Sequence, residues 1–394
     1  MEDHPAGPAC QGPRGQWPLS VVVPVRDGGD ALTHCLRALR VSAGVRFELI
    51  VVDDGSRDDS GRKAEDAGAV VVRHDRPLGP AAARNNGARA ASAPIVFFLD
   101  ADVAVHPDAA RKVLDRFRAD PELGALFGSY DDRPTAPGLV SRFRNLLHHD
   151  THQRGTFQDE ARPAHTFWTG CGAIRRDLFL AMGGFDPQLY RRPAIEDIEL
   201  GYRLTRAGHR IDLVRDIQVT HLKRWTLREV IRTDIACRGV PWTLLMLRSG
   251  VAETDLNVSV TQRASVAATA LTGLGLLVSP IEPTALVLAA IGPLAVVVLN
   301  ARFYRFLARR IGMIRSVLSV PLHLLYFVCC GLSVVIALAI WLGQRRVRQP
   351  IADRQPLRPR PDAPAEITAA GPHTLAPQPA PRRRSSWSRT ETHP

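Results

Sequence analysis

The chain has 394 residues, 45% of them hydrophobic, and a formal charge of +12. That length exceeds one typical domain and the apolar content supports a full core, which excludes a small disulfide-stapled scaffold and a wholly disordered chain. The charge suggests nucleic acid only until it is located. Residues 344–394 hold ten arginines against four acidic residues, a second basic group runs from Arg302 to Arg315 between apolar segments, and no base-reading motif occurs. Basic residues beside apolar spans fit anionic lipid headgroups better than DNA or RNA.

The six cysteines (Cys10, Cys35, Cys171, Cys237, Cys329 and Cys330) form no CxxC pair and no metal-ligand spacing, which points to a reduced, cytosolic catalytic part. Residues 1–17 are polar and rich in Pro and Gly, with no apolar stretch of the kind a secretory signal peptide carries, and are expected to be disordered.

In chain order, residues 19–25 read as a buried strand, followed by a loop and a helix over about 31–41 with Leu32, Leu36 and Leu39 on one face. Strands follow at 47–52, 69–73 and 94–99, the last after an Ala-rich helix that starts behind Gly79-Pro80 and runs to about Ala91. Strands alternating with helices predict a parallel sheet with right-handed crossovers. Further on, 123–130 and 166–174 read as strands, the second bent at Gly170-Cys171-Gly172, and 196–207 as a helix stopped by Gly208. Val140, Phe143, Leu146 and Leu147 form an apolar stripe that suits either a helix packed on the core or one lying in a membrane interface.

From Ser265 the character changes. Residues 265–279 and 284–299 are uncharged, and 318–342 form a third apolar run long enough to span a bilayer. A catalytic unit over 18–250, a membrane region of two to three helices over 251–343 and a disordered Pro/Arg-rich tail over 344–394 are therefore expected. The positive-inside rule puts the Arg-rich 301–315 loop on the catalytic side but opposes Arg345, Arg346 and Arg348 beyond a third crossing, so the number of spans stays open.

Two acidic blocks carry the chemistry: Asp53-Asp54-Gly55-Ser56 and Asp100-Ala101-Asp102, each directly after an apolar strand. Carboxylates at the ends of parallel strands project into the crevice where open α/β sheets bind ligands, and an Asp-x-Asp can hold a hard divalent cation that bridges phosphates. Alongside them, in order, stand Val21-Val22-Val23-Pro24-Val25, Gly79 with Arg84-Asn85 and Gly87, Gly170-Cys171-Gly172-Ala173, Gly183-Gly184-Phe185-Asp186, Glu196-Asp197 and His221-Leu222-Lys223-Arg224-Trp225.

This ordered set resembles the family-2 glycosyltransferases over about residues 18–250. The resemblance implies a Rossmann-like α/β fold of the nucleotide-diphospho-sugar transferase (GT-A) type and an inverting transfer of sugar from a UDP- or GDP-sugar. It implies Asp102 as a ligand of Mg²⁺ or Mn²⁺, His221 as a second ligand or a contact to the diphosphate, and Asp54 as the carboxylate that binds the base. Pro24, Arg26, Arg84, Asp100 and Arg224 would serve the donor, Asp197 would be the catalytic base with Glu196 beside it, and Trp225 and Cys171 would meet the acceptor. Asp53 is expected to be a solvated turn residue. His221 stands where processive synthases of the family carry Gln, which favours transfer of a single sugar. With the apolar runs from Ser265 onward, the expected protein is multi-pass in the plasma membrane, with a cytoplasmic catalytic domain and a lipid-associated acceptor. A processive polysaccharide synthase and a catalytically silent membrane scaffold are the rival readings. Nucleic acid is not an expected partner.

Overall fold

The computed structural model describes residues 17–42, 44–250, 259–344 and 367–368. Strand β1 (Ser20–Val25), helix α1 (Gly29–Arg40), β2 (Glu48–Asp53), α2 (Ser60–Asp66), β3 (Val70–Arg73), α3 (Pro80–Ala90) and β4 (Ile95–Leu99) form the first half. Their strands lie in the order β3-β2-β1-β4, all parallel. Both faces of this half are covered by helices, so its strands are continuously apolar, and Val21, Val22, Val23, Ile50, Val51 and Val52 are fully buried. Trp17, expected in the disordered terminus, is instead buried under the Arg46 guanidinium, so the folded unit begins before residue 18.

The parallel arrangement expected of the first four strands is present, and beyond β4 the sheet becomes mixed. The chain continues through β5 (Val103–Val105), α4 (Ala109–Ala119), β6 (Leu123–Tyr130), α5 (Leu139–His152), β7 (Ala161–Ala164), β8 (Cys171–Arg175), α6 (Arg176–Ala181), α7 (Glu196–Arg206) and β9 (Arg210–His221). β8 inserts between β4 and β6 antiparallel to both, and β9 runs parallel to β6 but antiparallel to β5 and β7. An apolar run buried on both faces carries no information about its direction, and β8 enters from a loop rather than from a crossover helix. The strand expected over 166–174 is shorter for a steric reason. A Cβ on Gly170 would lie 2.4 Å from the Trp168 ring, and one on Gly172 would lie 2.2 Å from the Trp168 carbonyl oxygen, so the loop folds its own aromatic residues against the two glycines.

A helical region follows: α8 (Leu227–Arg232), a π-helical turn (Thr233–Gly239), α9 (Val240–Ser249), α10 (Val260–Val278), α11 (Leu286–Leu299), α12 (Ala301–Ile311), α13 (Met313–Leu318) and α14 (Val320–Gly343). α8 starts on a reciprocal capping box, with Thr226 Oγ1 accepting from the Glu229 amide while the Glu229 carboxylate accepts from the Thr226 amide. Among the described residues, one stretch, Met313–Gly343, is long and apolar enough to cross a membrane; Pro283–Leu299 and Ala301–Ile311 qualify only as a pair bent by 70°. Exposed apolar residues cluster on these helices, among them Leu274, Leu277, Leu294, Val298, Ile314 and Val335. Large apolar side chains exposed in such number on one region mark an interaction surface.

Helix α5 settles the question its stripe left open. Phe143, Leu146 and Leu147 pack with Phe303 and Leu307 of α12 and Tyr326 and Phe327 of α14, so the stripe joins the sheet domain to the helical region. The Arg144 guanidinium donates to both Asp234 oxygens at 3.2 and 2.5 Å across the same seam, and Arg310 pairs with Asp132. Of the tail expected to be disordered, Ile367–Thr368 forms a short strand (β10) antiparallel to β3; residues 1–16 and the rest of the tail from 345 lie outside the described residues.

Candidate active site

The ends of β1, β2 and β4 open into a cleft of about 930 Å³, closed on the far side by α7 and the segment after β9. Eleven of the residues singled out from the sequence line it: Pro24, Arg26, Asp54, Arg84, Asp100, Asp102, Glu196, Asp197, His221, Arg224 and Trp225. They come from positions up to 201 residues apart, and the sheet order is what brings them together.

At the β1–β2 mouth the loops brace one another. Asp27 takes the left-handed conformation (φ 53°), and its carboxylate accepts from the Arg57 amide at 2.7 Å while its own amide donates to Ser56 Oγ at 3.0 Å. Asp53, expected to be a solvated turn residue, is buried and accepts from the Ser56 amide at 2.9 Å. Asp54 is buried too. It accepts from the amides of Leu78 (2.7 Å) and Gly79 (2.9 Å) and is bonded to His74 Nδ1 (2.8 Å). Burial raises its pKa, but the His74 bond and the two amides outweigh this and hold the carboxyl below its ordinary range. Asp54 thus clamps the 77–79 loop, leaving little free capacity for the base. Only glycine suits position 79, where φ is +96° and a Cβ would sit 2.4 Å from the Arg191 carbonyl oxygen.

Arg84, expected at the donor phosphates, is a buried brace. Its guanidinium donates to Asp100 Oδ1 at 2.7 Å and to Glu196 Oε1 at 2.9 Å, tying the end of β4 to the start of α7. The neighbouring Asn85 exchanges two hydrogen bonds with the Phe185 backbone, which joins the Arg84-Asn85 and Gly183-Gly184-Phe185-Asp186 motifs in space. Asp197 stands beside this brace but outside it. Its Oδ2 accepts from the Thr169 amide (3.1 Å) and hydroxyl (3.2 Å), and its Oδ1 from the Ile198 amide (2.9 Å). Burial and the adjacent Glu196 charge push its pKa up to about 6. A carboxyl tuned to that range is suited to taking a proton near neutral pH.

At the other end, Asp102 Oδ2 lies 3.6 Å from His221 Nε2. The His221 ring is fixed from behind by a 2.7 Å contact between Nδ1 and Asn145 Oδ1 and by stacking on Tyr130 at 4.3 Å between centroids. Burial raises the Asp102 pKa, yet His221 and Lys223 overcome it and keep the group ionised. The Lys223 ammonium sits 4.2 Å from the centre of the Trp225 ring, and Arg224 is exposed at the mouth. Among the described residues no three His, Cys, Asp or Glu side chains converge on one metal position. Asp102 and His221 still fit an ion of the kind the sequence implies, because one carboxylate and one outward ring nitrogen leave most coordination places to phosphate and water oxygens, as Mg²⁺ and Mn²⁺ prefer.

Cys171 is the residue that does not belong. It is fully buried on β8, opposite Leu99, with its sulfur turned into the sheet core beside Gly128, and its thiol pKa is driven far up by burial. The flanking glycines make room for Trp168 and Phe167, not for an acceptor. The cleft also holds residues that the motifs did not single out. Trp168, Tyr130, His148 and His152 form one aromatic group, with ring centres 4.4–5.1 Å apart where they are in contact. The Nε1 of Trp225 and Oγ1 of Thr166 are buried in the cleft wall and have no hydrogen-bond partner among the described residues. Of the neighbouring histidines, His148 and His152 belong to the aromatic group, with the His152 ring also bonded to the Gly128 carbonyl, whereas His149 turns away to the Tyr130 carbonyl and stacks on Phe306.

Residues 20–183 match the family model described as glycosyl transferase family 2. The chain is 34% identical over 220 residues to a validoxylamine A glucosyltransferase of Streptomyces hygroscopicus subsp. limoneus, covering 48% of each protein. It is 30% identical over 234 residues to a pre-mycofactocin glycosyltransferase of Mycobacterium tuberculosis, covering 58% of this chain and 47% of the relative. The chain therefore spans about half the length of these curated relatives. A solved mannosyltransferase from Pyrobaculum calidifontis, in complex with GDP-Man and Mn²⁺, superposes with a TM-score of 0.49 at 19% identity, over 84% of this chain and 88% of that one. The match to the glycosyl transferase family 2 model lies over the strands β1, β2 and β4, whose ends open into the cleft.

Proposed function

We propose that this protein transfers one sugar, with inversion, from a UDP- or GDP-sugar to a hydroxyl or phosphate of an acceptor held at a membrane. The observation that supports this best is the pairing, in one cleft, of an Asp102–His221 end suited to a diphosphate with a separate carboxyl, Asp197, whose pKa stands at about 6. A Mg²⁺ or Mn²⁺ ion held by Asp102 and His221 would neutralise the leaving diphosphate. Lys223 and Arg224 add positive charge at that end. Asp197 takes the proton of the attacking hydroxyl as the new bond forms at the anomeric carbon and the bond to the phosphate oxygen breaks on its opposite face. Arg84 keeps Asp100 and Glu196 in place, so that Asp197 is the carboxyl left free to accept that proton.

The acceptor side is supported by a second cavity of about 270 Å³ between α5, the π-helical turn, α9, α10 and α14. It shares His148, His152, Arg238 and Trp242 with the cleft, and Val266, Tyr326, Cys330 and Val334 form much of its apolar wall. An acceptor with an apolar body, lipid-associated and approached from the bilayer, fits that connection. A compact, non-lipid acceptor is the second reading of the same connection. The relatives named for validoxylamine A and pre-mycofactocin favour that second reading. We further propose a plasma-membrane location, multi-pass, with the cleft on the cytoplasmic side.

The test is donor turnover. Protein in detergent is given UDP- and GDP-sugars with Mn²⁺, with and without EDTA, and released UDP or GDP is measured alone and with lipid or small-molecule acceptors. EDTA-sensitive release from one donor supports the transferase reading. Nucleotide binding without release under every acceptor condition moves it toward the silent scaffold, and long sugar chains on the product toward a processive synthase.

A further inference from the structure

We propose that Arg302, Arg305 and Arg309 of α12, with Arg215 of β9, form a seat for the phosphate of an anionic phospholipid headgroup. These four line a cavity of about 440 Å³ at the seam between α12 and α5, and it shares no lining residue with the catalytic cleft. Positions 302, 305 and 309 are spaced i, i+3, i+7, so the three side chains emerge from one face of the helix. The opposite face, Phe303, Leu307 and Ile311, is buried against α5 and α14, which fixes the direction in which the arginines point.

Charge balance marks the cavity as a site for an anion. Arg302, Arg305 and Arg309 are exposed and make no ion pair or hydrogen bond to a protein group among the described residues. The one carboxylate on the wall, Asp150, is taken by Arg154 at 2.5 Å, and Arg215 is partnered by Glu160 from outside, which leaves the three helix arginines uncompensated. Position marks the anion as a lipid. α12 leaves the apolar α11 at a 70° bend, and the residues directly after it, Met313, Ile314, Val317 and Leu318, are exposed apolar side chains. A helix with arginines on one face, set at the margin of an apolar belt, places guanidinium groups at headgroup height with acyl chains alongside.

This inference needs α10–α14 to sit at a membrane, but not the sugar chemistry. The full chain in neutral detergent is titrated with short-chain phosphatidylglycerol, with phosphatidylcholine and with inorganic phosphate, binding being followed by native mass spectrometry and by melting temperature. Phosphatidylglycerol is expected to bind at least tenfold more tightly than phosphatidylcholine. Each arginine near an anionic headgroup contributes about a fivefold factor, so R302Q/R305Q/R309Q loses about a hundredfold and R305Q alone about fivefold. A double change of exposed arginines elsewhere, R37Q/R118Q, leaves the affinity unchanged. Equal binding of the two lipids by the unaltered chain, or retained phosphatidylglycerol affinity in the triple variant, overturns the proposal. Inorganic phosphate binding as tightly as phosphatidylglycerol overturns it in favour of a free-phosphate site. Should the triple variant not fold, the lipid discrimination of the unaltered chain and R305Q decide. Recovery of the chain from cells without detergent would remove the membrane premise, whatever the result of the turnover assay.

Discussion

Replacing Asp197 by Asn separates catalysis from folding. A carboxyl moved from 3.8 to about 6 by burial and by Glu196 is less stable in its ionised form by about 3 kcal/mol. The sign follows from linkage. The folded state holds this proton more tightly than the unfolded chain, so the penalty is absent below the unfolded value, grows between about 4 and 6, and is complete above 6. At pH 7.5 Asn escapes it but can no longer accept on both sides, and one of the bonds from Thr169 or Ile198 is lost, at about 1–2 kcal/mol. The balance is about 1–2 kcal/mol of added stability, a rise of about 2–6 °C in melting temperature for a domain of this size. Over the same change, transfer should fall about 10²–10⁴-fold through loss of the base. The assay is product formation from nucleotide sugar and acceptor, with melting of the same preparation in detergent. In the unaltered enzyme kcat/KM should fall about tenfold per pH unit below about 6, and the residual rate of D197N should lack that limb. Turnover within tenfold of the original, or a melting temperature several degrees lower with the activity loss, would refute the assignment of Asp197 as an ionised base outside the Arg84 brace.

Asp102→Ala should abolish Mn²⁺-stimulated transfer and leave melting within about 2 °C, since this carboxylate is partly open to the cleft and its loss removes one surface-side interaction; residual activity that EDTA still suppresses would place the ion elsewhere. Arg84→Met strands Asp100 and Glu196 without their shared cation, so a stability loss of about 3 kcal/mol is expected by thermal melting, and an unchanged melting temperature would contradict its role as a brace. Cys171→Ala should cost about 1 kcal/mol of packing and leave the acceptor KM as it was; a raised KM at constant melting temperature would return the thiol to the acceptor site.

Much of the site was legible because its chemistry is local. Asp100-Ala101-Asp102 and Glu196-Asp197 could be placed at the end of a strand and the start of a helix from apolar pattern and spacing alone. Partnership was not legible. Arg84 carries the same side chain whether it waits for a phosphate or is held by Asp100 and Glu196, and only the approach of α7 to β4 decides which. Asp54 likewise became a loop clamp because the 77–79 segment folds back over it. Cys171 between glycines suggested room for a ligand, whereas the room is filled by Trp168, a neighbour in sequence whose ring position depends on the loop fold.

The sequence by itself determined the alternation of strands and helices, the acidic blocks and their order, and the change of character near Ser265, because each depends on side-chain polarity over short windows. The tertiary structure decided strand direction beyond β4, the joining of α5 to the helical region, and which charged groups neutralise one another. Those are properties of contacts between segments tens to more than a hundred residues apart, and no local window contains both partners.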